Sequence, residues 1–259
     1  MIEKISITKG QGKNKKKDVF EILHFPMGKI VSIVGPTGSG KTTFINDLEL
    51  FADENTPTKR KVLINDQKPP LEYREQPSLN PIALITQHTN FLSDLPVEEF
   101  LKIHAEIRSK DHTKIQKMID ETLVFANQLT GEAIQLESRM TELSGGQTRS
   151  LLIADATVIC NTPIVLLDEV ENAGINRTKA LELLRKYQKI FIFVTHDPRI
   201  ILLSDFRIIM EEGRVKKVLS TNEEEKKCAH FVNKMDDKLA SFREKLRSGF
   251  SLTLQAMEG

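Results

Sequence analysis

Gly35-Pro36-Thr37-Gly38-Ser39-Gly40-Lys41-Thr42 is a glycine, four residues, then Gly-Lys-Thr, the pattern of a loop that wraps a phosphate chain. Its context decides the fold. The apolar run Ile30–Val34 precedes it and a helical stretch follows, so the loop joins a buried strand to a helix start. Glycines let backbone amides turn inward around phosphate oxygens, and the helix N-terminus adds positive potential. Lys41 is placed to neutralise β- and γ-phosphates, and the Thr42 hydroxyl, with Thr43 beside it, to reach a phosphate-bound Mg²⁺.

Working outward, strand-like runs recur at Ile5–Thr8, Val62–Ile64, Ile82–Thr86, Ile164–Leu167, Ile190–Val194 and Arg207–Met210. Those beginning at Ile30, Ile164 and Ile190 are apolar throughout, as in strands of a parallel sheet covered on both faces by helices. Alternation near the N-terminus predicts antiparallel strands with one wet face. Between Pro96 and Leu136 the period turns helical. Val97, Phe100, Leu101, His104 and Ile107 share one face, and Ile115, Met118, Ile119, Leu123 and Val124 another. Asp94 and Pro96 mark the helix start.

The strand Ile164–Leu167 runs into Asp168-Glu169, two acids at the strand end where open α/β sheets bind ligands. Asp168 can hold Mg²⁺ through its water shell, and Glu169 can polarise an attacking water. Between the loop and these acids stands Leu143-Ser144-Gly145-Gly146-Gln147, a serine and two glycines before a helix, which makes a second anion-receiving helix start.

In that pentapeptide the sequence resembles the ATP-binding cassette (ABC) family, whose signature it matches, over about residues 2–215. The resemblance implies an α/β P-loop NTPase with a mostly parallel core sheet flanked by helices. It also implies an N-terminal antiparallel β-subdomain and a helical insertion at about 88–140. It implies ATP and Mg²⁺ as ligands and a head-to-tail dimer, in which Ser144, Gly145, Gly146 and Gln147 of one chain close over ATP held by the other. Gln87, ending the strand Ile82–Thr86, looks like the family's Gln-loop residue that senses Mg²⁺ and water. His196, after Ile190–Val194, looks like the switch histidine on the γ-phosphate.

The chain also departs from the family. Residues from Gly10 to Asp18 hold no aromatic to stack on adenine, which is worth ~1–3 kcal/mol where aromatic–base stacking has been measured. Phe20 is the nearest candidate, or a core residue. After Glu169 the usual Pro-Thr-Ser-Ala-Leu-Asp reads Val170-Glu171-Asn172-Ala173-Gly174-Ile175, and Asp155 stands where an arginine is usual.

The 259 residues carry a formal charge of +1, so no overall field points to nucleic acid. The run Lys13, Lys15, Lys16 and Lys17 reads as a solvated loop. Cys160 and Cys228 are too few and too far apart for a disulfide framework, which fits a reducing, cytoplasmic setting. No apolar run approaches the roughly 20 residues of a membrane span. A membrane-spanning partner would therefore be a separate chain, with this one peripheral at the inner face of the membrane. Two functions fit: the energising subunit of a transporter, which we favour on this evidence, or a soluble ATPase that remodels a client protein or metalloenzyme. The charged tail 221–259 carries an apolar stripe, Phe231, Met235, Leu239, Phe242 and Leu246, that either packs on its own domain or meets a partner.

Overall fold

The computed structural model describes residues 1–169, 177–251 and 253. The chain opens with β1 (Lys4–Thr8), β2 (Ile22–Pro26), β3 (Ile30–Val34), α1 (Lys41–Glu49), β4 (Val62–Ile64), α2 (Glu72–Glu75) and β5 (Ile82–Thr86). Helices α3 (Val97–Arg108), α4 (Ile115–Leu129) and α5 (Gly145–Thr157) follow. The chain then returns through β6 (Ile164–Asp168), α6 (Arg177–Arg185), β7 (Ile190–Val194) and α7 (Pro198–Leu203). It closes with β8 (Phe206–Glu211), β9 (Arg214–Ser220) and α8 (Glu223–Arg247).

Two sheets result. The larger has strand order β5-β6-β7-β3-β8-β9, parallel except where β9 folds back antiparallel on β8. The smaller is antiparallel, β2-β1-β4. The apolar central strands divide their side chains between two cores, because successive residues point to opposite faces. Val165, Leu167, Phe191 and Phe193 face the core shared with α3 to α6. Ile164, Leu166, Ile190, Ile192, Val31 and Ile33 face the core shared with α1 and the small sheet. Both faces are covered, so no polar alternation is needed.

Sequence periodicity did not foresee β2 or β9. In β2 only Leu23 and Phe25 point inward, and in β9 Lys216 and Lys217 face solvent. Each strand thus has too few buried residues to stand out. Two helix faces also need correction. Ile107 on α3 and Val124 on α4 are exposed, and the buried faces run through Val97, Leu101 and Ala105, and through Ile115, Ile119, Thr122, Phe125, Ala126 and Leu129. Phe20 packs against the core between the sheets.

The tail helix α8 docks on α7 through its other face. Ala229 is buried there, Glu225 accepts from Arg207 at 2.5 Å, and Asp236 pairs with Arg199. The apolar stripe therefore does not pack on its own domain: Phe231, Met235, Leu239 and Leu246 are exposed and Phe242 is half-buried. Among the described residues no helix is long and apolar enough to cross a membrane.

Candidate active site

The phosphate loop lies between the C-terminal end of β3 and the first turn of α1. Gly40 starts the helix with φ of +95° and no side-chain cap, so the amides of the first turn stay turned to the loop. A Cβ at Gly40 would lie 2.7 Å from Gly213 Cα, so only glycine lets the loop rest on the β8–β9 turn. Lys41 is buried, and its ammonium donates to the carbonyls of Gly35 at 2.9 Å and Pro36 at 3.2 Å. That holds the charge over the loop. Thr42 and Thr43 are exposed, their side chains free to reach a ligand.

A pocket of about 490 Å³ opens above the loop, lined by Thr37, Gly38, Gly40, Lys41, Thr42, Thr43 and Glu169. Its outer wall is Gln11, Gly12, Lys13, Pro57, Thr58 and Gly213. No aromatic is among these described lining residues. One expectation changes here: Lys13 is part of the pocket wall, and Lys16 pairs with Glu212 at 2.7 Å, so the lysine run is only partly a solvated loop.

β5, β6 and β7 end level, since Thr86, Asp168 and Val194 are register partners. The residues one or two steps on therefore come out side by side. Glu169 donates its N–H to Val194 O at 3.0 Å and has φ of +51°. For a non-glycine residue that conformation costs about 1–3 kcal/mol, strain of a kind concentrated at functional sites. Its Oε1 lies 3.8 Å from His196 Nε2, and both side chains are partly exposed, 41% and 54%. Gln87 is the first residue after β5, with its side chain exposed and outside the described pocket lining. Its carbonyl accepts from Arg149 of α5, whose other nitrogen donates to Gly145 O at 2.8 Å. The oxygens of Thr42, Asp168 and Gln87 are the hard donors Mg²⁺ prefers, so the residues present fit that ion.

The signature opens α5 as a capping box: Ser144 Oγ accepts from Gln147 N at 3.3 Å, and Gln147 Oε1 accepts from Ser144 N at 2.9 Å. None of Ser144 to Gln147 lines the pocket of its own chain. Asp155, the departure from the usual arginine, bonds His104 Nδ1 at 2.8 Å, and this bond holds the imidazole pKa up at about 10. The unusual segment with Glu171, Asn172 and Ile175 lies outside the described residues.

Sequence reading missed one group behind the pocket. Arg60 is fully buried, with Nε and Nη2 on the Asp18 carboxylate at 2.9 Å each, Nη1 on Asp47 at 3.1 Å and Nη2 on Gly213 O at 3.0 Å. Its guanidinium also lies over Phe44, 4.9 Å from the ring centroid. It ties the N-terminal loop, α1 and the β8–β9 turn together. A lone arginine beside Lys59 and Lys61 gives no local sign of burial.

Comparison with known proteins identifies the chain. The family model described as ABC transporter matches residues 22–172. The chain belongs to the ABC transporter family. As a member, this ABC cassette is an ATP hydrolase that energises transport. It is 45% identical to an ABC transporter ATP-binding protein of Methanocaldococcus jannaschii, over 97% of this chain and 95% of that one. It is 28% identical to a methionine import ATP-binding protein of Rhodopseudomonas palustris, over 77% of this chain but only 54% of that longer protein. Among solved structures it superposes with TM-score 0.63 on a dimeric ATP-binding cassette in a post-hydrolysis state bound to ADP and Pi. That match covers 84% of this chain and 99% of the other, at 22% identity, and speaks for the fold of the ABC cassette.

Proposed function

We propose that two copies of this cassette close head to tail over two ATP molecules and that the closing and reopening drives a membrane-spanning partner. One observation carries the reading. A single chain holds one half of a γ-phosphate site, because Lys41, Thr42 and Glu169 share the pocket while the Ser144 helix start opens outside it. A second anion-receiving helix start finds its use when a second copy presents it to the bound triphosphate.

In this cycle the loop amides and Lys41 bind the triphosphate, and the ammonium exchanges its carbonyl bonds to Gly35 and Pro36 for phosphate oxygens. Thr42, Asp168 and Gln87 would hold Mg²⁺, which when bound would neutralise phosphate charge. Glu169 takes the proton of the attacking water, and His196 beside it orients the γ-phosphate. Gln11, Gly12, Lys13, Pro57 and Thr58 receive the base, with no ring among the described lining residues. Gln87, whose carbonyl accepts from Arg149, connects the strand end to the signature helix, and the partner would dock on the helical insertion that follows. A soluble client is the weaker reading. The family and its transporter-associated relatives favour transport, and Asp155, a departure from the family pattern, has a local role with His104.

The Glu169→Gln variant tests the cycle. Loss of a general base should lower turnover by at least ~10²-fold while ATP still binds, and the variant should then run as an ATP-dependent dimer by light scattering. Wild-type turnover would overturn the role of Glu169, and a monomer at saturating ATP would overturn the closure. Isolated from native membranes with ATP, the same variant should bring down a polytopic membrane protein. Recovery with soluble proteins alone would move the reading to a remodelling ATPase.

A further inference from the structure

His104, Asp155 and Cys160 meet away from the ATP pocket. His104 stands on α3, Asp155 on the last turn of α5, and Cys160 in the turn leading to β6, pinned by its N–H on Asp155 O at 2.9 Å. Cys160 Sγ lies 3.9 Å from His104 Nε2 and 3.6 Å from Asp155 Oδ2, and one donor atom from each residue falls within 4.8 Å of the others. Metal–ligand bonds of about 2.0–2.3 Å put the ligand atoms of one tetrahedral ion about 3.3–3.8 Å apart, so the Cys160 distances match and the whole set needs only a small closing movement to share an ion. We propose that His104, Asp155 and Cys160 form a site for a divalent transition-metal ion of the Zn²⁺ class, fastening α3 to the end of the signature helix α5.

The donor set selects the ion. One nitrogen, one oxygen and one sulfur suit a borderline cation and not Mg²⁺ or Ca²⁺, which take oxygen ligands. The site is thus chemically separate from the oxygen donors at the phosphate loop. Asp155 is buried, and His104 and Cys160 are half-buried, with the Phe100 ring 5.8 Å from the imidazole. Cys160 also lines a cavity of about 710 Å³ with Arg108 and Pro163, which gives an ion its route in and water its fourth coordination position. Binding balances as one divalent cation taken up and the protons on the imidazole and the thiol released to solvent. The consequence is mechanical: Ser144 caps the start of α5, so an ion at its far end stiffens the signature helix against the helical insertion.

The experiment uses the full chain, stripped with a chelator and kept free of nucleotide, titrated with Co²⁺ alone. One equivalent should produce a thiolate-to-cobalt charge-transfer band and raise the melting temperature. Cys160→Ser should remove the band and weaken binding by at least the ~10-fold that even an outer-sphere partner is worth. Cys228→Ser, altering the exposed cysteine of α8, should leave both unchanged. His104→Gln, which keeps the thiol, should weaken binding and shift the band, so the inference stays testable if Cys160→Ser misfolds. Absence of the band in wild type, its survival in Cys160→Ser, or its loss in Cys228→Ser would each overturn the site. Co²⁺ held only at the phosphate-loop oxygens would give no sulfur band and counts against it too.

Discussion

Replacing Arg60 with Met keeps an unbranched apolar stem and removes the charge and all four of the side-chain hydrogen bonds. The carboxylates of Asp18 and Asp47, 0% and 3% exposed, then lose their counter-ion without gaining water. Breaking a buried ion pair from one side costs about 3–5 kcal/mol, because the remaining charge keeps its desolvation penalty. For a protein of this size each kcal/mol moves the melting temperature by about 2–4 °C, so the variant should melt about 6–20 °C lower. Urea unfolding followed by circular dichroism reads the free energy directly. Adding Asp47→Asn should restore about 0.5–3 kcal/mol, since one of the two stranded charges is then gone. Asp18 is the poorer choice for rescue, as it also accepts from the N–H groups of Gly10 and Val215. ATP affinity should fall together with stability, because the lost bond to Gly213 O loosens the turn on which Gly40 rests. An Arg60→Met protein within ~1 kcal/mol of wild type, with no gain from Asp47→Asn, would refute the reasoning.

Lys41→Ala removes a charge-assisted contact worth about 1.5–3 kcal/mol, so ATP should bind about 10- to 150-fold more weakly by calorimetry; unchanged affinity would end its assigned role. Gly12→Ala drives a Cβ to within 2.4 Å of Glu212 O and 2.6 Å of Arg214 N, both backbone, and such overpacking should cost ~1–3 kcal/mol in a urea titration. An unshifted midpoint would contradict that packing. Burial lowers the Lys189 pKa to about 8 from an ordinary 10.5. Below about 8 the folded and unfolded chains both hold the proton and the burial cost is felt in full; between about 8 and 10.5 only the unfolded chain holds it. This group therefore makes stability rise with pH. Wild type should gain on Lys189→Met from pH 7 to 10, and a constant difference would be contrary evidence.

What the sequence disclosed was local or periodic. The phosphate loop, the acids after β6 and the Ser144 helix start each occupy a few consecutive residues, and the apolar β3, β6 and β7 announce burial on both faces. What it withheld depends on distant partners. Arg60 lies 42 residues from Asp18, and His104 lies 51 from Asp155, so each looks like an ordinary surface charge until the chain is folded. Ile107 and Val124 show the limit of periodicity: one apolar residue fits the helical spacing yet stands just beyond the buried arc. The tail stripe was legible as a stripe, but its spacing could not tell that α8 would dock by Ala229 and leave Phe231, Met235 and Leu239 outside.

The turn at Glu212–Gly213 bears on the order in which the protein is made. Gly213 N–H donates to Ser39 O at 2.8 Å, Glu212 O accepts from Lys13 N, and Gly213 O accepts from Arg60. The loop that defines the cassette is thus seated on residues translated long after it, beyond the stretch 22–172 that the family model matches. A nascent chain lacking β8 and β9 has its phosphate-binding sequence without the support beneath it. Nucleotide capture therefore waits for nearly the whole domain to leave the ribosome, and a fragment cut at the end of the family match would not make a working ATP site.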